Sequence, residues 1–413
     1  MPITNTTPMP KRCMERAEWD IENMIWFIIF CSAVMLGLDY KVVRLCVGHN
    51  LSRGAKFCLA AMWMTDLMPP AMALIGLLIK DNPTAWVMAS MWINFAYMVT
   101  AIARQPLNIA LLLSKRQGVR FVGAIISIIA AGIFIHGMAV TRTDYTTEQI
   151  ELASGRLPEE FDGYKITHIS DLHIGSMVNP EQELQLIAER CNRLSSDVIL
   201  FTGDLINIRQ EEITPKLEDI LRSFRARDGI FSVMGNHDIG ICIKDSITHR
   251  PEVNAQQLIA KQQQCGWQVL DDKTAYIRRG ADSIAVTGIS FKKELQGHRH
   301  SAKMPDTDIL GAYSGLPDEL FNITLVHIPQ HWDEIVENRK ADLTLSGHVH
   351  AMQMRLPIGE RGVSPARVLY KRWSGLYEEQ GRWLHINDGT GCIMYPMRIG
   401  TPPTITQITL RHK

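Results

Sequence analysis

The chain is expected to fold as α/β, a layered β-sheet sandwich flanked by helices, preceded by an all-α transmembrane domain of about four helices. Three observations predict this. Residues up to about 140 are strongly apolar, whereas those after 145 have the mixed composition of a soluble domain. In the second part, short apolar runs alternate with segments whose apolar residues recur at helical spacing, as in a layered sheet domain. Five short polar motifs each fall just beyond an apolar run, where such sheets place their ligand sites. The division drawn is a membrane domain, 1–140, and a second domain, 145–413.

A length of 413 residues has room for both. Lys and Arg (43) balance Asp and Glu (43), so the formal net charge is zero. That removes the basic footprint of nucleic-acid binding, and no nucleic-acid partner is expected. Eight cysteines, with no CxxC pair and no regular spacing, demand no disulfide framework.

Four apolar stretches stand out in the first part, at 24–38, 57–79, 85–103 and 121–140. A bilayer-crossing helix needs about 20 mostly apolar residues. The second and fourth reach this and the third nearly does. The first can be extended to 21–47 with Asp39 and Lys41 at the interface. Glu15, Glu18, Asp20 and Glu22 ahead of it argue against a cleaved signal peptide. The second stretch carries Asp66 and Pro69-Pro70. The plain reading is that Asp66 faces a neighbouring helix and the prolines kink the segment, because only His136 stands out as an ionisable partner in the other spans. Lys41, Arg44, Arg53 and Lys56 follow the first span, and Arg104, Lys115, Arg116 and Arg120 follow the third. The positive-inside rule puts both loops in the cytoplasm and the second domain outside it, with Lys11, Arg12 and Arg16 counting the other way.

In the second domain, 148–153 alternates as a half-buried strand, and 164–170 is the next strand. Residues 180–194 place Leu184, Ile187, Ala188 and Cys191 at helical spacing behind Pro180. Strand 197–201, helix 213–224 and strand 230–234 follow. Further strands are expected at 268–270, 275–278, 283–287, 323–326, 343–345 and 383–386, with a helix over 330–338.

The polar motifs are Asp171-Leu172-His173, Gly203-Asp204, Gly235-Asn236-His237-Asp238, His327 and Gly347-His348-Val349-His350. On a strand, residues two apart share a face. Asp171 and His173, like His348 and His350, are therefore expected to aim together while Leu172 and Val349 turn into the core. Gly203 and Gly235 permit tight turns or close backbone approach. Oxygen and imidazole donors without thiolate suit manganese, iron or zinc in an open site. Two divalent ions a few ångströms apart are suited to displacement at phosphorus. His331 is a weaker alternative to His327, and His298 and His300 read as a solvated loop.

These blocks, in this order, resemble the calcineurin-like metallophosphoesterase family over about 164 to the C-terminus. The resemblance implies that Asp171, His173 and His350 hold one metal, that Asn236, His327 and His348 hold the second, and that Asp204 bridges them. It implies attack at phosphorus by a metal-bound hydroxide. His237 would be the catalytic histidine, stabilising the transition state and helping to protonate the leaving oxygen, and Asp238 would orient its loop. The text Ile169-Ser170-Asp171-Leu172-His173 and the late turn Asn387-Asp388-Gly389-Thr390-Gly391 are similar to a bacterial membrane-associated branch. That branch includes exported phosphodiesterase-like proteins and some UDP-2,3-diacylglucosamine diphosphatases. The expectation is thus a membrane-anchored phosphoesterase of the bacterial inner membrane, its catalytic domain extracytoplasmic. It would use two divalent ions, manganese first, on a phosphodiester or pyrophosphate of the lipid-linked class. The chain departs from the branch in its four-span front end and in a segment, 351–380, carrying Arg355, Arg361, Arg367, Lys371 and Arg372. These read as solvated surface, with phosphate binding as the minority reading. The rival class is a non-catalytic membrane scaffold or sensor, which the complete ligand set disfavours.

Overall fold

The computed structural model describes all residues except 1–10, 49–50, 80, 245–249, 293, 296–307 and 360–361, and in the first helix it leaves the side chains of 11–25, 27 and 28 undescribed. His298, His300 and Arg361 lie outside the described residues. Two compact units emerge. One joins Met1–Ile79 to Trp92–Phe134, and the other joins Lys80–Met91 to Ile135–Lys413.

The N-terminal helices are α1 (Lys11–Val47), α2 (Arg53–Leu78), α3 (Thr84–Tyr97), α4 (Gln105–Leu113) and α5 (Gln117–Ala139). A π-helical turn, Met98–Ile102, joins α3 to α4. Among the described residues three stretches are long and apolar enough to cross a membrane: Arg53–Leu78, Thr84–Leu113 and Gln117–Thr143. About four were expected. The remaining expected span, 24–38, falls inside α1 and begins among side chains outside the described residues.

Asp66 has the partners that sequence reading did not supply. Arg104 Nη2 lies 2.6 Å from Asp39 Oδ2 and 2.5 Å from Asp66 Oδ1. Asn108 Nδ2 donates to Asp39 Oδ1 at 2.9 Å, and Arg104 Nη1 donates to Thr65 Oγ1 at 3.0 Å. Both carboxylates are fully buried. Asp39 and Arg104, read as interfacial or loop charges, instead form a buried cluster with Asp66.

The second unit contains β1 (Thr146–Ser154), β2 (Tyr164–Ile169), α6 (Pro180–Arg193), β3 (Val198–Phe201), α7 (Pro215–Arg222), β4 (Ile230–Ser232), α8 (Pro251–Gln264) and β5 (Trp267–Val269). It continues with β6 (Lys273–Arg279), β7 (Asp282–Ile289), β8 (Asn322–Val326), α9 (Trp332–Glu337), β9 (Leu343–Ser346), α10 (Ala366–Leu369), β10 (Gly375–Glu379), β11 (Arg382–Ile386) and β12 (Thr404–His412). Helices α6, α7 and α8 each open on a proline, whose missing N–H is an orphan there anyway.

Among the described residues the strands form two six-stranded sheets, β1-β12-β2-β3-β4-β5 and β10-β11-β9-β8-β7-β6. Ile166, Leu200 and Phe231 of the first sheet meet Val286, Leu325 and Leu345 of the second in one buried layer. On the outer face of the first sheet, Ile169 and Phe201 pack on Ile187, Leu217 and Leu258 of the three helices. On the second, Val326 and Leu384 pack on Trp332 and Ile335. The result is the expected sandwich flanked by helices. Strands β2 to β5 run parallel, as do β7, β8, β9 and β11. Their carboxyl ends collect the loops after β2, β3, β4, β8 and β9 at one rim.

Candidate metal centre and active site

Each of those five loops delivers polar side chains to the same place. Asp171 and His173 follow β2, Asp204 follows β3, Asn236 and His237 follow β4, His327 follows β8, and His348 and His350 follow β9. The expected pleat is not what aims them. Asp171 (φ 54°), His173 (φ 44°), Asp204 (φ 59°), His348 (φ 70°) and His350 (φ 52°) all lie beyond the strand ends in left-handed backbone. Leu172 and Val349 are nonetheless buried between their polar neighbours. Such conformations cost non-glycine residues roughly 1–3 kcal/mol each. Backbone bonds across the loops hold them: Asp171 N donates to Gly203 O at 2.9 Å, His173 N to Asp204 O at 3.1 Å, and Gly391 N to Asp171 O at 2.8 Å.

Gly203 (φ 96°) lies against Gly235, and a Cβ on Gly203 would sit 2.6 Å from Gly235 N. Only glycine lets these two loops close on each other. Asp238 then ties them. Its carboxylate accepts from the N–H groups of Asp204 (2.7 Å), Leu205 (2.8 Å), Ile206 (3.2 Å) and Gly235 (2.9 Å).

The donor atoms form three overlapping groups, Asp171/His173/His350, His173/Asp204/His237 and Asp204/His327/His348, each with its ligand atoms within 4.8 Å of one another. His350 Nε2 is 3.1 Å from Asp171 Oδ1 and 3.1 Å from His173 Nε2. His327 Nε2 is 3.1 Å from Asp204 Oδ2 and 3.1 Å from Asn236 Oδ1. The same Asp204 oxygen lies 3.7 Å from His173 Nε2. Asp204 therefore faces both clusters. His331, the weaker alternative, is buried and belongs to none of these groups.

The electrostatics favour positive charge in this space. Burial pushes the Asp171 and Asp204 carboxyls up, but the surrounding imidazoles, His350 for the first and His327 for the second, bring both below their ordinary range. Burial holds His173 neutral, down to about 3. Burial also opposes a charge on His327, yet Asp204 lifts it to about 9. Ionised carboxylates, a neutral imidazole and an amide oxygen, with a proton drawn to His327, are a donor set that fits divalent ions. Such ions release the protons they displace.

All but two of these side chains are buried; His237 and His348 are half-exposed and form the edge open to solvent. His237 Nδ1 donates to Asn207 O at 2.7 Å, and Cys242 Sγ lies 3.6 Å from the same nitrogen. Tyr370 Oη is 3.4 Å from His348 Nε2. Asn207, Cys242 and Tyr370 were missed in the sequence, and only Asn207, three residues beyond Asp204, offered a positional signal. Two residues of the basic segment are structural, while Arg367 and Lys371 are exposed as expected. Arg372 is buried against Asp333 (2.7 Å) and Glu379 (3.0 Å) over the Trp332 ring, and Arg355 pairs with Asp388. The fully buried Arg398 donates to the carbonyls of Asp388 (3.0 Å) and Gly391 (2.6 Å), and so braces the turn that holds Asp171.

A family model described as calcineurin-like phosphoesterase matches residues 164–352. An uncharacterised metallophosphoesterase of Bacillus subtilis, YkuE, is 28% identical over 308 residues, covering 72% of this chain and 98% of that one. A transmembrane protein with metallophosphoesterase domain from Danio rerio is 26% identical, covering 69% of this chain and 62% of its own length. The UDP-2,3-diacylglucosamine pyrophosphatase LpxG of Chlamydia trachomatis is 23% identical, covering 60% of this chain and 85% of that one. Residues 164–352 thus carry a calcineurin-like phosphoesterase domain, and the chain is a metal-dependent phosphoesterase.

Proposed function

We propose that the chain is a membrane-anchored phosphodiesterase or pyrophosphatase with a two-ion centre, acting on a lipid-linked phosphate. The observation that carries the two-ion reading is Asp204, whose Oδ2 faces His327 at 3.1 Å and His173 at 3.7 Å. In this assignment Asp171, His173 and His350 hold one ion, Asn236, His327 and His348 hold the other, and Asp204 is shared. The ions supply an activated water and charge neutralisation at phosphorus. Manganese is the first candidate for this oxygen and imidazole set, ahead of iron or zinc.

His237 is assigned the general acid. Its Nδ1–H is committed to Asn207 O, so the acid is the doubly protonated ring, whose Nε2–H is left for the departing oxygen. Asp238 orients the strand-end loops through its four N–H acceptances. Residues 1–140 serve as the anchor and 145–413 as the catalytic domain, on the extracytoplasmic side of a bacterial inner membrane. The anchoring and the likeness to a diacylglucosamine pyrophosphatase favour a lipid-linked pyrophosphate as substrate.

The test is hydrolysis of bis(p-nitrophenyl) phosphate and of UDP-2,3-diacylglucosamine by the full-length protein in detergent, with manganese and after chelation. Metal-dependent turnover is expected on both. Turnover of the diester alone would remove the lipid-linked assignment. No turnover and no bound metal would leave a non-catalytic membrane scaffold or sensor.

A further inference from the structure

Residues Lys80–Met91, which follow α2 and open α3, belong to the same compact unit as the sandwich. Three side chains near the start of this segment reach the loops that support His237. Asn82 Nδ2 donates to Cys242 O at 2.6 Å, and Asn82 Oδ1 accepts from Lys244 N at 3.0 Å. Thr84 Oγ1 donates to Glu212 Oε1 at 3.1 Å. Asp81 pairs with Arg209.

Each contact is a short step from the His237 ring. Cys242 Sγ lies 3.6 Å from His237 Nδ1. The buried Glu212 carboxylate accepts from Asn207 N at 2.7 Å and Ile208 N at 2.9 Å. The carbonyl of that same Asn207 receives His237 Nδ1–H at 2.7 Å. The two sides of the ring's support, 207–212 and 242–244, are thus pinned by one segment between two apolar helices. Asn82 is itself buried, so its two bonds to loop backbone form where water does not compete, and losing them strands buried polar groups.

We propose that Asp81, Asn82 and Thr84 are positioning residues for His237, so that turnover depends on the segment linking two membrane-crossing helices. This rests on the general-acid reading of His237. A ring displaced by about 1 Å can cost on the order of 10²-fold in rate, which is the lever the segment would hold.

The experiment uses the full-length protein in detergent with manganese, and the variants Asn82→Ala, Thr84→Val and Thr84→Ser. Asn82→Ala and Thr84→Val are expected to lower kcat by roughly 10- to 100-fold with KM and bound metal unchanged. Thr84→Ser, which keeps the hydroxyl, should restore most of that loss. Hydrogen–deuterium exchange supplies a readout independent of turnover: peptides covering 205–212 and 236–244 should exchange faster in Asn82→Ala and Thr84→Val. Unchanged exchange overturns the clamp. Faster exchange with wild-type kcat, or metal lost in parallel with kcat, overturns the positioning role. A wild-type protein that binds two ions but turns over neither substrate counts against the catalytic reading, and the exchange data then still decide the clamp.

Discussion

Asp204 and His237 sit 33 positions apart and do different work, and they can be separated experimentally. Asp204 faces both imidazole clusters, while its Oδ1 accepts from His237 N at 2.9 Å. Asp204→Ala removes the one carboxylate common to both groups. Bound metal measured by elemental analysis should fall below two ions per chain; unchanged stoichiometry would refute the shared-ligand assignment. His237 contributes through its ring, and its removal leaves Asp171, His173, His350, Asn236, His327 and His348 in place. His237→Ala should therefore keep its metal and lose kcat by roughly 10²–10⁴-fold, the usual worth of acid–base assistance. Parallel loss of metal would instead make His237 a ligand, a role its place in the His173/Asp204/His237 group allows geometrically.

At the scale of elements, the packing of α9 makes a pH-dependent contribution that is independent of the metal centre. His331, at its N-terminal edge, is buried, and burial together with nearby Lys292 pushes it down to about 4. The unfolded chain binds this proton below about pH 6.5, whereas the folded chain does so only near pH 4. Stability owed to the neutral ring is thus complete above pH 6.5 and is lost as pH falls toward 4, by on the order of 3 kcal/mol. His331→Gln should flatten the dependence of denaturation midpoint on pH in that window. A slope identical to wild type would mean the ring is already free to take its proton. Element legibility in the sequence follows from the same physics. Five of the parallel strands, β2, β3, β4, β8 and β9, could be read because each is a short apolar run ending at a motif. β12 could not, since its Thr and Gln look like surface residues and its partners are far away in the chain. Thr404 pairs with Thr146 and Thr406 with His168, while Gln407 is buried on Leu194 O (2.9 Å) and Ser196 Oγ (2.9 Å). Helix α8 escaped because its glutamines mask a thin apolar stripe, of which Leu258 alone is a fully buried hydrophobe. The site residues were legible because chain order follows the order in which parallel strands deliver loops to the rim. Their left-handed backbone was not, because nothing in Asp-Leu-His or His-Val-His distinguishes a pleat from a turn.

At the scale of the whole molecule, two buried charge assemblies stand out, one in each compact unit, and they respond to opposite perturbations. In the helical unit the cation is built in. Arg104 serves Asp39 and Asp66 together, and Arg104→Met would leave two buried carboxylates without a counter-charge. Removing one partner of a buried ion pair costs about 3–5 kcal/mol, so helical unfolding in detergent should shift down markedly. Adding Asp39→Asn and Asp66→Asn to the same variant should recover much of the loss; no recovery would mean the arginine acts through packing. In the sandwich the cation must come from outside. Asp171 and Asp204 are brought together from loops after β2 and β3, and His327, His348 and His350 from loops after β8 and β9, so an ion bound there ties both sheets at one rim. An ion that binds only the folded state stabilises it by RT ln(1 + [L]/Kd), about 2.7 kcal/mol at a hundredfold excess over Kd. The melting temperature of the full-length protein should rise with manganese concentration and fall on chelation. Asp204→Ala should abolish that dependence and also lower the chelated baseline, because the same carboxylate accepts from His237 N and pairs with buried His327. If manganese moved the midpoint of Asp204→Ala as far as that of wild type, the stabilisation would arise away from the rim, and the shared carboxylate would not be what joins the two sheets.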